Sequence, residues 1–479
     1  MFFHTSRDIL FMRYCIDLAW SAQTLTLPNP PVGAILLNHS YEIISSAIHL
    51  KAGKAHAEVL ALLYGYEVLS GKKSGLDKWS DSQEIHNFLA KNHNGLFRDK
   101  ILLVSLEPCN HYGKTPPCAE LIATLKPAKV IIGFCDKWGE SSNGAKKLQQ
   151  AGVEVEFLSQ ADLSQDILSQ ADLSQMDFCH DDIYAQMLDL LYPFLCLKER
   201  GRFNLFKLAL RLDGEYKDGQ ISGVASRNFT HNQRCIAQNL IISGRTAIND
   251  KPRLDTRYAD SFYALDFRQN DFETLDSLTQ NLPQAQQSTQ RFAPQMPHSQ
   301  RLPNIEILTR NKESLLRHSN TIPLFSLPNR SVAIKTSPNA LNLSSGFNVV
   351  EGGFSLLWAL RDKVDMLLLH ISPSVWLGDF SHLEQESNNN KNTKKMQGDL
   401  AKILCHFRIL HSDILDDSLQ HISNISSKLF IPKSSSKPQK IGKQNPKTSK
   451  IDSRQDFENL AKNPHKTQDL LLWLKPINL

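Results

Sequence analysis

Two short stretches of the chain contain residue types that together could hold and use a metal ion. The first is Ala55-His56-Ala57-Glu58, and the second runs from Glu107-Pro108-Cys109 to Cys118. One imidazole and two thiolates suit zinc and leave a fourth position open for water. Glu58 lies two residues after the histidine, where a carboxylate could carry protons to and from that water. The pattern therefore predicts a catalytic zinc site with Glu58 as its acid–base group.

This pattern is close to a known signature but departs from it in one spacing. In the zinc nucleobase deaminases, His-x-Glu is followed by Pro-Cys-x-x-Cys. Here eight residues separate Cys109 from Cys118. A lone His-Ala-Glu arises by chance, and free cysteines are commonly small core residues. The order of the groups and the proline before Cys109 favour the metal site over that simpler interpretation.

Both stretches are also predicted to lie where helices begin. An apolar run follows Glu58, and Thr115-Pro116-Pro117 precedes Cys118 as an N-cap with prolines in the first turn. A cysteine in the first turn of a helix has its thiolate stabilised by the helix dipole and by backbone N–H groups. This position therefore suits a metal ligand.

Length, charge and cysteine usage limit the class of protein. The chain has 479 residues and a net charge of +5, which allows two or three domains but is too weak to argue for nucleic acid as a partner. Its eight cysteines are scattered, as in a protein with reduced thiols. We find no signal-peptide pattern and no apolar stretch near the roughly 18 residues that span a bilayer. A cytoplasmic protein without a membrane segment is expected.

Strands that alternate with helices predict an α/β layered sheet in the first part of the chain. A helix is predicted over residues 6–23, and a rigid Pro-rich turn at 28–33 contains Asn29, which either faces a ligand or is an ordinary turn residue. Residues 66–99 are predicted to form a polar surface insertion. The strands predicted here are 34–37, 41–49, 101–106, 130–134 and 153–155.

A second α/β unit is predicted from about residue 203. Its predicted strands are 205–210, 239–244, 347–351, 365–371 and 469–474. Gly352-Gly353 leads into a predicted helix at 355–361, and this turn either meets a phosphate or is only a tight connection. Residues 158–165 recur as 168–175, which we interpret as a lengthened linker. Low-complexity insertions are predicted near 269–304, 384–398 and 431–466.

The first half of the chain resembles a known family. The runs that carry the resemblance are Pro28–Gly33, His56–Glu58 and Glu107–Cys118, including the long cysteine spacing. They are similar to those of the bifunctional riboflavin-biosynthesis deaminase/reductases over about residues 6–157. The resemblance implies a cytidine-deaminase-like α/β/α domain in which a zinc-activated water deaminates a phosphoribosylamino-substituted diaminopyrimidinone. It also implies zinc ligation by His56, Cys109 and Cys118, Glu58 as proton shuttle, and a substrate pocket that includes Asn29 and His49.

The second half is similar to the reductase of that family, which has a dihydrofolate-reductase-like α/β fold. The resemblance implies NADPH-dependent reduction of the ribosyl group to a ribityl chain. It implies substrate contacts from Ser226, Arg234, Leu254, Arg257 and Glu351, with the two arginines on the phosphate. It implies cofactor contacts from Ala209, Asn228, Thr246, Asp250, Gly352 and Gly353. The expected organisation is a deaminase domain at 1–157, a linker at 158–200 and a reductase domain at 201–479.

Several alternatives stay open at this point. The family usually has an aspartate where Lys251 stands and a tryptophan where Asn228 stands, so the second domain is either an active reductase or a degenerate, non-catalytic binding domain. A nucleoside or tRNA-adenosine deaminase fused to another domain would be expected to show the shorter cysteine spacing. The basic segment 433–450 either touches RNA or is a solvated loop, and the solvated loop is favoured. We also expect a small-molecule substrate and a homo-oligomer formed through the reductase domain.

Overall fold

A computed structural model shows how the predicted elements are arranged. The structure describes residues 6–136, 143–159, 183–212, 214–216, 221–264, 302–327, 330–373, 407–416 and 468–476. Most of the three predicted low-complexity insertions and of the tandem copy at 158–175 lie outside the described residues.

The first sheet has five strands in the order β2-β1-β3-β4-β5. Strand β1 pairs antiparallel with both β2 and β3, whereas β3–β4 and β4–β5 are parallel. Strands β1 and β3 are buried along their whole length, as expected for their unbroken apolar runs. The five strands are β1 Gly33–Leu37, β2 Ile43–Ile48, β3 Ile101–Leu106, β4 Lys129–Phe134 and β5 Glu154–Phe157. All five predicted strands of this part are confirmed.

Helices accompany this sheet and bring the His and Cys residues to it. They are α1 Ser6–Trp20, α2 Ala57–Ser70, α3 Ser82–Asn92, α4 Cys118–Leu125 and α5 Gly144–Gln150. His56 is the N-cap residue of α2, and Cys118 is the first residue of α4. Cys109 follows the end of β3 by three residues. The site residues are therefore held at two helix starts and one strand end.

Two details of this half differ from the prediction. The expected surface insertion at 66–99 contains α3, whose Ile85, His86 and Leu89 are buried. Asp81 begins this helix by accepting hydrogen bonds from the backbone N–H groups of Gln83 and Glu84. Thr115 is not an N-cap, because α4 begins after Pro117 and has no side-chain cap.

The second sheet has eight strands in the order β12-β13-β11-β6-β10-β7-β8-β9. Five neighbouring pairs from β11 to β9 are parallel, and β13 pairs antiparallel with β11 and β12 at the other edge. The strands are β6 Arg202–Arg211, β7 Asn239–Ser243, β8 Asn304–Leu308, β9 Val332–Lys335, β10 Gly346–Glu351, β11 Met366–Ser372, β12 Phe407–Asp416 and β13 Gln468–Pro476. The predicted α/β class of the second unit and the return of the last strand to the sheet are confirmed.

The helices of this half include one in the segment predicted as a linker. Residues Ile183–Arg200 form α6, which contacts α1, β4 and β6. The remaining α-helices among the described residues are α7 Val224–Ile236, α8 Gly244–Asp250, α9 Ser261–Ala264, α10 Lys312–His318 and α11 Phe354–Leu360. No helix among the described residues is long and apolar enough to cross a bilayer.

The two sheets share one continuous apolar core. A single cluster of buried side chains extends from Met12 and Leu36 to Leu205 and Trp473. Trp20 of α1 stacks on His411 of β12 with ring centroids 4.7 Å apart. The two halves are therefore packed against each other rather than joined only by a linker.

Candidate functional site

His56, Cys109 and Cys118 come together as a three-residue cluster. Their ligand atoms all lie within 4.8 Å of one another. His56 Nδ1 is 3.3 Å from Cys118 Sγ and 3.6 Å from Cys109 Sγ. The hydrogen bond from the Cys118 thiol, together with His56, lowers the pKa of Cys109 to about 4, which favours the thiolate. One imidazole nitrogen and two sulfur atoms at these separations fit a zinc ion, so the predicted donor set is brought together.

The other nitrogen of His56 also has a partner. Thr115 Oγ1 lies 3.3 Å from His56 Nε2. With Nδ1 facing the two sulfur atoms, the Nε2–H group is the one that donates to this hydroxyl, which fixes the ring orientation. Sequence reasoning missed this role of Thr115, although its place in the Thr-Pro-Pro-Cys run was a signal.

Glu58 lies in the same pocket and is almost fully buried, at 3% exposure. Its Oε2 atom has no hydrogen-bond partner among the described residues. Burial raises the pKa of this carboxyl to about 7. A buried carboxyl with an unpaired oxygen beside a metal-ligand cluster is suited to take up and release a proton.

His49 and Asn29 form a second polar pair in the pocket. His49 Nδ1 is 3.2 Å from the carbonyl of Ala55, so it must carry the proton and donate. Burial, together with His56, lowers the pKa of His49 to about 3, so its Nε2 accepts from Asn29 Nδ2 at 3.2 Å. This bond fixes the Asn29 amide and leaves its Oδ1 as the acceptor.

A cavity of about 520 Å³ is lined by most of these residues, namely Asn29, His49, His56, Glu58, Cys109 and Thr115. Besides the predicted residues, it is lined by side chains that sequence reasoning missed: His111, Lys114, Thr115, Phe194, Leu197 and Lys198. The first three lie between the two cysteines, which was a usable signal. The last three belong to α6, and no sequence pattern connected that helix to the site.

A second cavity of about 310 Å³ lies beside the second sheet and is strongly cationic. Of the predicted substrate residues it brings together Arg234, Leu254 and Arg257. Its described lining carries five cationic side chains against one carboxylate, that of Asp255; the cations are Lys207, Arg227, Arg234, Arg253 and Arg257. Such a charge excess suits an anionic ligand.

Within this region Arg234 and Glu351 are bound to each other. Arg234 Nε and Nη2 donate to the two carboxylate oxygens of Glu351, each at 2.7 Å. Although burial raises the pKa of Glu351, the attraction of Arg234 lowers it to about 2. Arg257 is similarly held by Asp255 at 2.7 Å. These two arginines are therefore already oriented by carboxylates.

The remaining predicted residues of the second half lie around the carboxyl ends of its central strands. Ala209 is on β6, Thr246 and Asp250 are on α8, and Gly352 and Gly353 join β10 to α11. An added Cβ on Gly353 would lie 2.4 Å from Tyr216 Cε2, so close packing requires glycine there.

The last two predicted binding residues of the second half, Ser226 and Asn228, lie on helix α7. Ser226 is fully buried, and its Oγ has no partner among the described residues. The Asn228 amide nitrogen, turned toward the carbonyls of Val224 and Tyr258, donates to both at 3.2 Å. Neither residue lines the cationic cavity.

Comparison with known proteins agrees with this arrangement. Residues 5–134 match the model of the cytidine and deoxycytidylate deaminase zinc-binding region. Residues 5–134 are thus similar to a zinc-binding deaminase region, and a second α/β unit follows them in the chain.

The relatives are riboflavin biosynthesis proteins. The chain is 30% identical over 253 residues to the RibD protein of Synechocystis, covering 52% of this chain and 55% of that one. It is 37% identical over 149 residues to the chloroplastic PYRD protein of Arabidopsis thaliana, covering 31% and 28%. A Thermotoga maritima deaminase/reductase structure matches with a TM-score of 0.46 and 18% identity, over 98% of this chain and 99% of that one. The match to the Synechocystis protein spans about half its length.

Proposed function

We propose that the chain catalyses two consecutive steps of riboflavin biosynthesis. The first is hydrolytic deamination of 2,5-diamino-6-(5-phosphoribosylamino)pyrimidin-4-one in the His56 cavity. The second is NADPH-dependent reduction of the ribosyl group to ribityl beside the second sheet. The observation that carries the proposal is the cluster of His56, Cys109 and Cys118 at a cavity that Glu58 also lines, with a buried Glu58 oxygen that has no partner among the described residues.

In the first site, zinc held by His56, Cys109 and Cys118 would supply an activated water near neutral pH. Glu58 Oε2 takes up a proton as water adds to the amino-bearing carbon, and returns it to the nitrogen that leaves as ammonia. Asn29 Oδ1 accepts a hydrogen bond from the pyrimidine, because the bond from Nδ2 to His49 fixes the direction in which the amide faces. His49, neutral and bonded to the Ala55 carbonyl, holds that amide in place.

In the second site, the cationic cavity suits the substrate phosphate. Arg257 faces the cavity with Leu254, and Arg234 is oriented there by Glu351. Arginine forms paired hydrogen bonds with phosphate oxygens, so these groups would hold the ribosyl chain in a fixed position. Glu351, which is paired with Arg234, would also contact the substrate.

NADPH would supply the hydride in that site. The carboxyl ends of parallel strands in an α/β sheet form the crevice where such cofactors bind. Ala209, Thr246, Asp250, Gly352 and Gly353 lie on or beside these strand ends. Ser226, whose buried Oγ has no partner among the described residues, would contact the substrate.

The same proposal includes a cytoplasmic enzyme that forms a homo-oligomer through its second domain. None of the six cysteines among the described residues forms a disulfide, which supports a reducing compartment. Sedimentation of the purified chain tests the oligomer, and a monomer at micromolar concentration would contradict it.

The test supplies purified full-length enzyme with the diaminopyrimidinone substrate, with and without NADPH, while ammonia and NADPH absorbance are followed together. The proposal expects ammonia in both reactions and NADPH oxidation only after deamination. Ammonia without NADPH oxidation would assign a non-catalytic role to the second domain.

Metal removal separates the two activities. Because the zinc ligands lie in the first domain, dialysis against a chelator should abolish ammonia release and leave reduction of the already deaminated substrate unchanged. Added zinc should restore ammonia release. Equal loss of both activities would contradict the assignment of zinc to the first step alone.

A further inference from the structure

One wall of the deaminase cavity comes from outside the segment that carries the zinc signature. Phe194, Leu197 and Lys198 of α6 line the same 520 Å³ cavity as His56 and Glu58. Helix α6 ends at Arg200 and leads through Gly201 into β6, the central strand of the second sheet. The substrate cavity is therefore closed by a helix that directly precedes the reductase-like sheet.

Lys198 is the cationic group that this helix offers to the cavity. Its side chain is exposed at the cavity wall, and no ion pair involving it is found among the described residues. The other basic residue of the last turn is Arg200. Its Nη1 atom lies 3.4 Å from Asp365 Oδ1, so its ion-pair partner is this carboxylate. Lys114 lines the cavity from the loop between the cysteines and is likewise exposed.

Three carboxylates line the same cavity, those of Glu58, Glu107 and Asp136. The Glu107 oxygens are engaged by the backbone, because they accept from the N–H groups of Asp136 and Ala145 at 3.1 and 2.9 Å. Phe194 and Leu197 place apolar surface next to Lys198, and a less polar surrounding strengthens its attraction for an anion.

We infer that Lys198 is a specificity-determining residue of the deamination step, which binds the phosphate of the substrate at the wall of the cavity formed by α6. This inference rests on the proposed function. It means that a helix leading into the second sheet selects phosphorylated pyrimidines for the first active site. A lysine in the last turn of a helix also interacts favourably with the helix dipole, and that role alone would affect only stability.

Steady-state ammonia release by Lys198→Gln tests the inference. The matched control is Lys91→Gln, which removes an exposed charge from α3 outside the cavity. We expect Lys198→Gln to raise KM for the phosphorylated substrate roughly tenfold, as loss of one charged phosphate contact would. Its kcat should stay within about twofold of the wild type, and KM for the dephosphorylated substrate should not change.

Other outcomes have definite meanings. Equal KM values for Lys198→Gln and Lys91→Gln would overturn the inference while leaving the proposed deamination intact. A wild-type protein that releases no ammonia would instead refute the proposed function.

Calorimetric titration with ribose 5-phosphate then measures the contribution of Lys198 to phosphate binding directly. It is done on an Arg257→Gln background, which weakens binding in the second cavity. Weaker binding after Lys198→Gln, with unchanged zinc content and thermal midpoint, supports the inference, and unchanged binding overturns it.

Discussion

At the scale of single residues, the sequence could predict which residues form the zinc site, but it could not predict which side chains contact each other. His56, Glu58, Cys109 and Cys118 could be selected from sequence because the chemistry of a zinc site restricts both type and order. The bond between Arg234 and Glu351 could not, because the two residues are 117 positions apart and meet only when α7 packs over β10. The same holds for the contact between Thr115 and His56.

The Arg234–Glu351 pair should stabilise the second domain in a pH-dependent way. Glu351→Gln leaves the half-buried guanidinium without its partner and should cost about 3 kcal/mol of unfolding free energy at pH 7. Because the folded pKa of Glu351 is about 2, below its ordinary range, this contribution is present above about pH 4.5 and lost as pH falls toward 2. Urea unfolding at pH 7, 4 and 3 measures it.

The control for this prediction is Glu313→Gln, which removes an exposed carboxylate from α10. It should change the unfolding free energy by less than about 0.5 kcal/mol. A Glu351→Gln deficit that stays constant from pH 7 to pH 3 would show that the carboxylate charge is not the cause.

Thr115 should contribute to zinc affinity through His56. Thr115→Val keeps the side-chain volume but removes the hydroxyl that lies 3.3 Å from His56 Nε2. We expect roughly 10- to 100-fold weaker zinc binding, measured by competition with a chromogenic chelator. Thr124→Val, which removes a hydroxyl bonded to the Glu120 carbonyl on α4, should leave zinc affinity unchanged.

At the scale of elements, the sequence could predict strands from long apolar runs. It could not predict an edge strand or a helix with few apolar side chains. The run Asp469–Leu474 was recognised as a strand because it is nearly all apolar, and it pairs with β11 as β13. Strand β9 was missed because it lies at the sheet edge, where all four of its residues are only half-buried. Helix α3 was missed because few of its side chains are apolar, although Asp81 was an available N-cap signal.

The start of α5 should be sensitive to side-chain size because it supports the Cys109 strand end. An added Cβ on Gly144 would lie 1.8 Å from the carbonyl oxygen of Pro108, the residue before Cys109. Gly144→Ala should therefore displace that backbone and lower the zinc content of the purified protein, measured by metal analysis.

Gly71→Ala provides the contrast for that experiment. Gly71 ends α2 with φ +68° and has open space around it. Alanine there should cost about 1 kcal/mol of stability through backbone strain alone, with full zinc content. Equal zinc content in both variants would show that α5 does not support the metal site.

At the scale of the whole molecule, the two halves are joined by specific contacts near the first cavity. Phe262 of α9 stacks on Trp79 with ring centroids 3.7 Å apart, and its carbonyl accepts from Lys51 Nζ at 2.8 Å. Tyr263 Oη donates to the carbonyl of Leu50 at 2.8 Å. Leu50 and Lys51 directly follow His49 of the first cavity. The sequence could indicate two domains, but contacts over some 200 positions follow only from the fold.

This contact should contribute measurably to stability. Phe262→Ala removes a buried ring between the two halves and should cost about 3 kcal/mol, seen as a lower thermal midpoint in calorimetry. Trp358→Ala, which removes a ring that is 52% exposed on α11, should cost far less. A Phe262→Ala protein as stable as Trp358→Ala would contradict close docking of the two halves.

The most direct test of the central claim is the zinc content and ammonia release of Glu58→Gln, measured on the same preparation. If His56, Cys109 and Cys118 hold zinc and Glu58 only moves protons, the variant should contain one equivalent of zinc and release ammonia at least about a hundredfold more slowly. Loss of zinc from the variant, or ammonia release at the wild-type rate, would contradict the role assigned to Glu58.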